Sequence, residues 1–231
     1  MTKYLALWLE GPLQSWGIDS KFYNRSTELF PSRSAILGII LSAMGKGGEQ
    51  TELLSSFQGL SQTVFAYYHS KNKSPVRLRD FHMVGSGYND KDKWENLMIP
   101  KKSDGTKSST AQKPTYRYYL QDMAFGVAFQ LPMEITLQEE IISALKYPVW
   151  DVSLGRRNCP PTEFVFQGEF DIEDKIAEYF KKFSEQKGYT GAFKVFDKPF
   201  NNAESLIVND VPINFGLYKR YMTRTIYIVR A

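Results

Sequence analysis

Alternation and helical spacing divide the chain into elements before any side-chain chemistry is considered. In residues 3–10, Leu5, Leu7 and Leu9 alternate with Ala6 and Trp8. This is the period of a strand with apolar residues on both faces, so both faces are expected to be covered. Gly11-Pro12 stops the strand, and Leu13-Gln14-Ser15-Trp16-Gly17 follows as a loop. Ser32 is placed as the N-cap of a helix whose apolar positions Ile36, Leu37, Ile40, Leu41 and Met44 fall at helical spacing. Ala35, Gly38 and Ser42 give that helix a small-residue edge, and Gly45 is its expected C-cap.

The same reading predicts a short helix over 51–57 and strands over 63–69 and 76–82. Residues 116–120 and 127–131 flank one long strand interrupted near Gln121-Asp122. A helix over 137–145 turns Ile141, Ile142 and Leu145 inward, a further helix covers 172–183, and a closing strand covers 223–229. Residues 83–114 break the pattern: they are rich in Gly, Ser, Asp and Lys and have little periodicity, the mark of a functional excursion or a disordered segment. This element order fits an α+β chain with a ferredoxin-like half and an inserted hairpin, followed by a smaller part from about residue 160.

Composition narrows the class. With 231 residues, 42% of them hydrophobic and 15% aromatic, the chain can bury a core and is neither disordered nor a rod. Cys159 is the one cysteine, and His69 and His82 are the two histidines. An internal disulfide is therefore excluded, a structural zinc site is not expected, and Cys159 is read as structural. No apolar run approaches the roughly 20 residues that span a bilayer, and the N-terminus lacks the order of a signal peptide. Reducing cytoplasm and no membrane are the expectations. A net charge of +4 permits an anionic partner without requiring one.

Five places carry candidate chemistry, each with an ordinary structural alternative. Trp16 and Gln14 suit stacking on a base and hydrogen-bonding one, yet a Trp between glycines also serves as a lid on a core. Ser32-Arg33-Ser34 sets a guanidinium and two hydroxyls at a helix start, suited to phosphate or to simple capping. In a strand over 76–82, Arg77, Arg79 and Phe81 share a mixed basic and aromatic face, with His82 on the other. The excursion brings Lys101, Lys102, Lys107 and Lys113, with Arg117 beyond it, either to a polyanion or to solvent. Arg156-Arg157, between Gly155 and Pro160-Pro161, suits phosphates or a neighbouring subunit's carboxylates, or is an ordinary surface turn without function.

Taken together, several segments resemble the CasD family of type I-E CRISPR Cascade complexes. They are Leu9-Glu10-Gly11-Pro12-Leu13-Gln14-Ser15-Trp16-Gly17, Phe30-Pro31-Ser32-Arg33-Ser34-Ala35-Ile36-Leu37-Gly38, Leu78-Arg79-Asp80-Phe81-His82, Tyr118-Tyr119-Leu120-Gln121-Asp122 and Leu154-Gly155-Arg156-Arg157-Asn158-Cys159-Pro160-Pro161. They occur in family order from residue 4 to about 168, and the Arg-containing stretch from Arg220 to Val229 is similar to the family's closing strand. Residues 169–210 carry no specific match, Ala35 stands where the family often has Gly, and the Lys- and Asn-rich excursion follows no family pattern.

The resemblance implies a ferredoxin-like (RRM-like) palm over 1–160 with a thumb hairpin inserted at about 83–114, and a small C-terminal subdomain over 161–231. It also implies a non-catalytic subunit that holds the 5′ handle of the crRNA and caps one end of the assembly for antiviral defence. The implied partners are the backbone subunit CasC, the large subunit CasA and, through the complex, target DNA; no cofactor or metal is implied. Expected RNA contacts are Gln14, Ser15, Trp16, Ser32, Arg33, Ser34, Arg79, Phe81, His82, Lys113, Arg117, Arg156 and Arg157. The alternative is a metal-independent endoribonuclease that processes repeat RNA, as a related type I-C branch does with a Tyr, Lys and His set.

Overall fold

The first half of the chain runs β1 (Tyr4–Glu10), β2 (Leu13–Gln14), β3 (Asn24–Arg25), α1 (Arg33–Ala43), α2 (Thr51–Ser55), β4 (Gln62–His69), β5 (Val76–Val84), α3 (Lys93–Met98) and β6 (Lys113–Gln121). The second runs β7 (Met123–Gln130), α4 (Ile135–Lys146), β8 (Phe166–Phe170), α5 (Glu173–Gln186), β9 (Tyr189–Phe196), β10 (Glu204–Asn214) and β11 (Arg220–Arg230). The computed structural model describes residues 2–17, 24–69, 74–84, 89, 91–98, 104–106 and 113–230.

Seven strands form one sheet in the order β10-β11-β9-β4-β7-β1-β8, each antiparallel to its neighbours. At its centre, β1-α1-β4 and β7-α4-β8 are two strand-helix-strand units that interleave, each strand of one lying beside a strand of the other. The alternation in β1 is resolved as the sequence predicts. Leu5, Leu7 and Leu9 join Ile36, Leu37 and Ile40 of α1 and Ile141 of α4 in one core, whereas Ala6 and Trp8 join Ile176 and Phe180 of α5 in the other. Gly126 of β7 makes room for that second layer, since a Cβ there would lie 2.5 Å from the Phe180 ring.

α1 begins and ends as its sequence requires. The Ser32 hydroxyl accepts a hydrogen bond from the Ala35 amide, satisfying one of the donors a helix start leaves open. Met44 is the C-cap, one residue before the expected Gly45. Gly45 follows at φ +67°, and the amides of Gly45 and Lys46 close back on the carbonyls of Ser42 and Leu41.

The strands after residue 160 extend the same sheet. β8 pairs with β1, β9 pairs with β4 from Val64↔Val195 to His69↔Tyr189, and β11 and β10 continue beyond β9. The division expected at 160/161 therefore separates stretches of chain and not sheets. Alternation within a strand is visible in sequence; the partner it pairs with across more than a hundred residues is not.

A second, four-stranded sheet holds β2, β6, β3 and β5. β5 and β6 form an antiparallel hairpin from Val76↔Gln121 to Val84↔Lys113, so the inserted hairpin begins before residue 83 and ends after 114. The interruption expected near Gln121-Asp122 is the crossing point between sheets: Asp122 takes φ +51°, ending β6 in the small sheet and starting β7 in the large one. Among the described residues, no helix is long and apolar enough to cross a membrane.

Burial of aromatic hydroxyls on the α5 side sets a pH limit. Burial pushes the phenols of Tyr67 and Tyr189 up from 10.0 to about 12. A raised folded-state pKa contributes stability that is complete below the unfolded value and lost as pH climbs to the folded one. The melting temperature is expected to fall between about pH 10 and pH 12, and a Tyr67→Phe/Tyr189→Phe variant should lose less across that window. An equal loss in parent and variant would contradict the assignment.

Candidate nucleic-acid interface

The loop after β1 is part of the core. Trp16 is fully buried with its ring edge-on to Phe125. Gln14 is fully buried too. Its Nε2 donates to the carbonyls of Met123 at 2.6 Å and Leu9 at 3.3 Å, and its Oε1 accepts from the Trp16 indole at 3.2 Å. Ser15 donates from Oγ to the Tyr118 carbonyl, and its amide bonds Leu154. Base stacking by Trp16 and base reading by Gln14 are thus corrected: every polar atom is taken by the chain itself.

The Gly155-Arg156-Arg157 turn locks onto this loop. Gly155 has φ +93°, and a Cβ there would lie 1.8 Å from the Ser15 carbonyl oxygen, so no other residue fits. Arg156 donates to the carbonyls of Tyr118 at 3.2 Å and Arg25 at 2.8 Å and lies over the Tyr119 ring, tying β6 and β3 together. It is a bracket between strands. Cys159 is buried, and burial pushes its thiol up, away from the reactive thiolate form. Arg157, in contrast, is exposed, and among the described residues it makes no ion pair.

Arg33 is corrected in the same sense. It is buried at the start of α1, donating to Asp197 at 3.2 Å, to the Phe57 carbonyl at 3.0 Å and to the Leu60 carbonyl. Its amide donates to Asp210, which also takes Arg224 in two bonds of 2.7 and 2.9 Å; Arg224 reaches Asp197 as well. Burial lowers the Arg33 pKa and raises that of Asp197. Two cations and two anions thus join α1 to β10, β11 and the end of β9. Ser32 is spent as the cap, and its hydroxyl lies 3.1 Å from that of Ser34.

The hairpin keeps its polar face exposed. Arg79 lies over the Tyr116 ring, and Phe81, about half exposed, packs on the same ring at 5.2 Å. On the opposite face His82 Nε2 meets the Asp80 carboxylate, and Arg117 is the cross-strand partner of Asp80. Lys113 pairs with Val84 through the backbone; its side chain lies outside the described residues, as do Lys101, Lys102 and Lys107.

A groove of about 1000 Å³ runs along the small-residue edge of α1. Ser34, Ala35, Gly38 and Ser42 line it from the helix, Trp150, Ser153 and Arg157 from the segment after α4, Phe215 and Lys219 from the β10–β11 turn, and Tyr221 from the start of β11. Lys46 lines it too, 3.4 Å from Glu140. Lys219, like Arg157, makes no ion pair among the described residues. The groove can hold phosphate oxygens on guanidinium, ammonium and hydroxyl groups and present an aromatic face. Of the expected contacts it gathers Ser15, Ser34 and Arg157. Trp150, Lys219 and Tyr221 were missed, because nothing within either segment signals that the fold brings 150–157 and 215–221 together. Among the described residues no group of three His, Cys, Asp or Glu side chains is placed to hold a metal.

Comparison with known proteins adds three findings. A family model described as CRISPR-associated protein (Cas_Cas5) matches residues 4–229. The chain is 34% identical over 182 residues to the CRISPR system Cascade subunit CasD of Escherichia coli (strain K12), covering 75% of this chain and 74% of that one. It superimposes with a TM-score of 0.73 and 26% identity on a chain of a CRISPR RNA-guided surveillance complex, covering 99% of this chain and 90% of that one. A Cas protein crystal structure, at a TM-score of 0.57 and 20% identity, shares the fold.

Proposed function

This chain belongs to the CRISPR-associated Cas5 family, and from that premise we propose that it is a non-catalytic RNA-binding subunit of a Cascade surveillance complex. In this reading it holds the 5′ handle of the guide RNA and caps one end of the assembly in the cytoplasm, beside the backbone subunit CasC and the large subunit CasA. The observation that carries the reading is the α1 groove. Arg157 and Lys219 come from segments far apart in sequence, face one groove, make no ion pair among the described residues, and sit beside hydroxyls suited to phosphate. The order β4-β7-β1-β8, with α1 and α4 on one face, supports a ferredoxin-like palm, and the β5–β6 hairpin supports a thumb.

The non-catalytic part rests on which groups lie where. Among the described residues the groove lining includes no histidine, and Asp151 is its single carboxylate. His82 sits on the hairpin with its Nε2 on Asp80, away from that lining. The test is to purify the protein with its neighbours, sequence the bound RNA, and incubate the protein with repeat RNA in EDTA. A single guide-derived 5′ sequence and intact repeat RNA are expected. A defined metal-independent cut abolished by His82→Ala would replace this reading with the endoribonuclease one.

A further inference from the structure

The groove has one feature that phosphate binding does not use. Trp150 is 49% exposed, whereas Trp8 and Trp16 are fully buried. An exposed indole is ordinarily mobile, but this one is fixed from both sides. The preceding residue, Val149, donates its amide to the Ala43 carbonyl at 2.8 Å and packs its side chain against Gly45. The following residue, Asp151, accepts from the Ser42 hydroxyl at 3.3 Å. The far edge of the ring rests on Gly47, where a Cβ would come within 3.1 Å of Cη2. Residues 149–151 are thus pinned to the C-terminal end of α1, and the indole is held where it lines the groove.

We propose that Trp150 is a stacking platform for one unpaired nucleobase of single-stranded RNA, whose flanking phosphates are held by Arg157 and Lys219; the proposal rests on the RNA reading above. A base needs a flat apolar face with polar and cationic groups around it, and a pre-set ring gives up little freedom on binding. The helix side of the groove suits the ribose and base edge: nothing lies within 4 Å of a Cβ built at Gly38, and Ser34 and Ser42 bring hydroxyls. A volume of about 1000 Å³ is at the upper end for a site that buries one drug-sized ligand, so more than one nucleotide fits. An acidic peptide would satisfy the cations but leave the indole face unused.

The test uses the full chain and synthetic oligoribonucleotides of the co-purified RNA's 5′ sequence, each with one abasic position. Trp150→Ala is expected to weaken binding of the intact oligonucleotide by about 5- to 150-fold, with Trp150→Phe recovering most of it. At one abasic position Trp150→Ala should cost nothing further, which marks the stacked base. In a Trp94→Phe background, Trp150 is left as the exposed indole among the described residues, and its fluorescence should be quenched on binding. Wild-type affinity in Trp150→Ala, or the same loss at every abasic position, would overturn the stacking role while leaving the RNA reading intact. No binding by the parent protein would overturn both. Normal RNA affinity with impaired assembly would assign Trp150 to a protein partner and overturn the proposal.

Discussion

Arg224→Met is expected to lower stability by about 3–5 kcal/mol, because it removes the cation that holds the buried Asp210 carboxylate and leaves Arg33 alone beside two anions. Arg224 holds the Asp210 carboxylate, whose side chain is fully inaccessible, through Nε and one terminal nitrogen, and it also reaches Asp197. Asp210 in turn fixes the first amide of α1. Lysine should not rescue the loss, since its single ammonium cannot reproduce the two-pronged contact. Arg230→Met is the control: its contact with Glu204 is 3.9 Å long between exposed groups and is worth little. The denaturant midpoint of each variant checks this, and an Arg224→Met loss below about 1 kcal/mol would contradict it.

Trp16→Ala should cost about 3–5 kcal/mol, the usual penalty for emptying a buried Trp site. It also removes the donor that occupies Gln14 Oε1, leaving a fully buried amide oxygen unpaired. Affinity for the guide-derived RNA, measured well below the variant's melting temperature, should match the parent's. Unchanged melting with weakened RNA binding would instead make Trp16 a residue that turns outward to the ligand.

The β1 alternation, the α1 spacing with Ser32 as cap, and the closing strand were all legible in the sequence, because each is written within one element. Arg33, Gln14 and Arg156 show the reverse case. Each is a residue type found equally in RNA contacts and in buried brackets, and the distinction depends on Asp197, Met123 and Arg25, which lie far away in the chain. The union of β4 with β9, and hence the single sheet across residue 160, is likewise a long-range pairing with no local mark. Arg157 was identified from its turn; Lys219 and Trp150 became interpretable only once α1 stood between their segments.

Whether the α1 groove carries the RNA is read from the salt dependence of guide-RNA affinity for the parent and for an Arg157→Ala/Lys219→Ala variant. Each lost phosphate contact on a single strand lowers the slope of log affinity against log salt by about 0.7. The double variant is expected to bind more weakly, with a slope reduced by about 1.4, at an unchanged melting temperature. Affinity and slope equal to the parent's would contradict it.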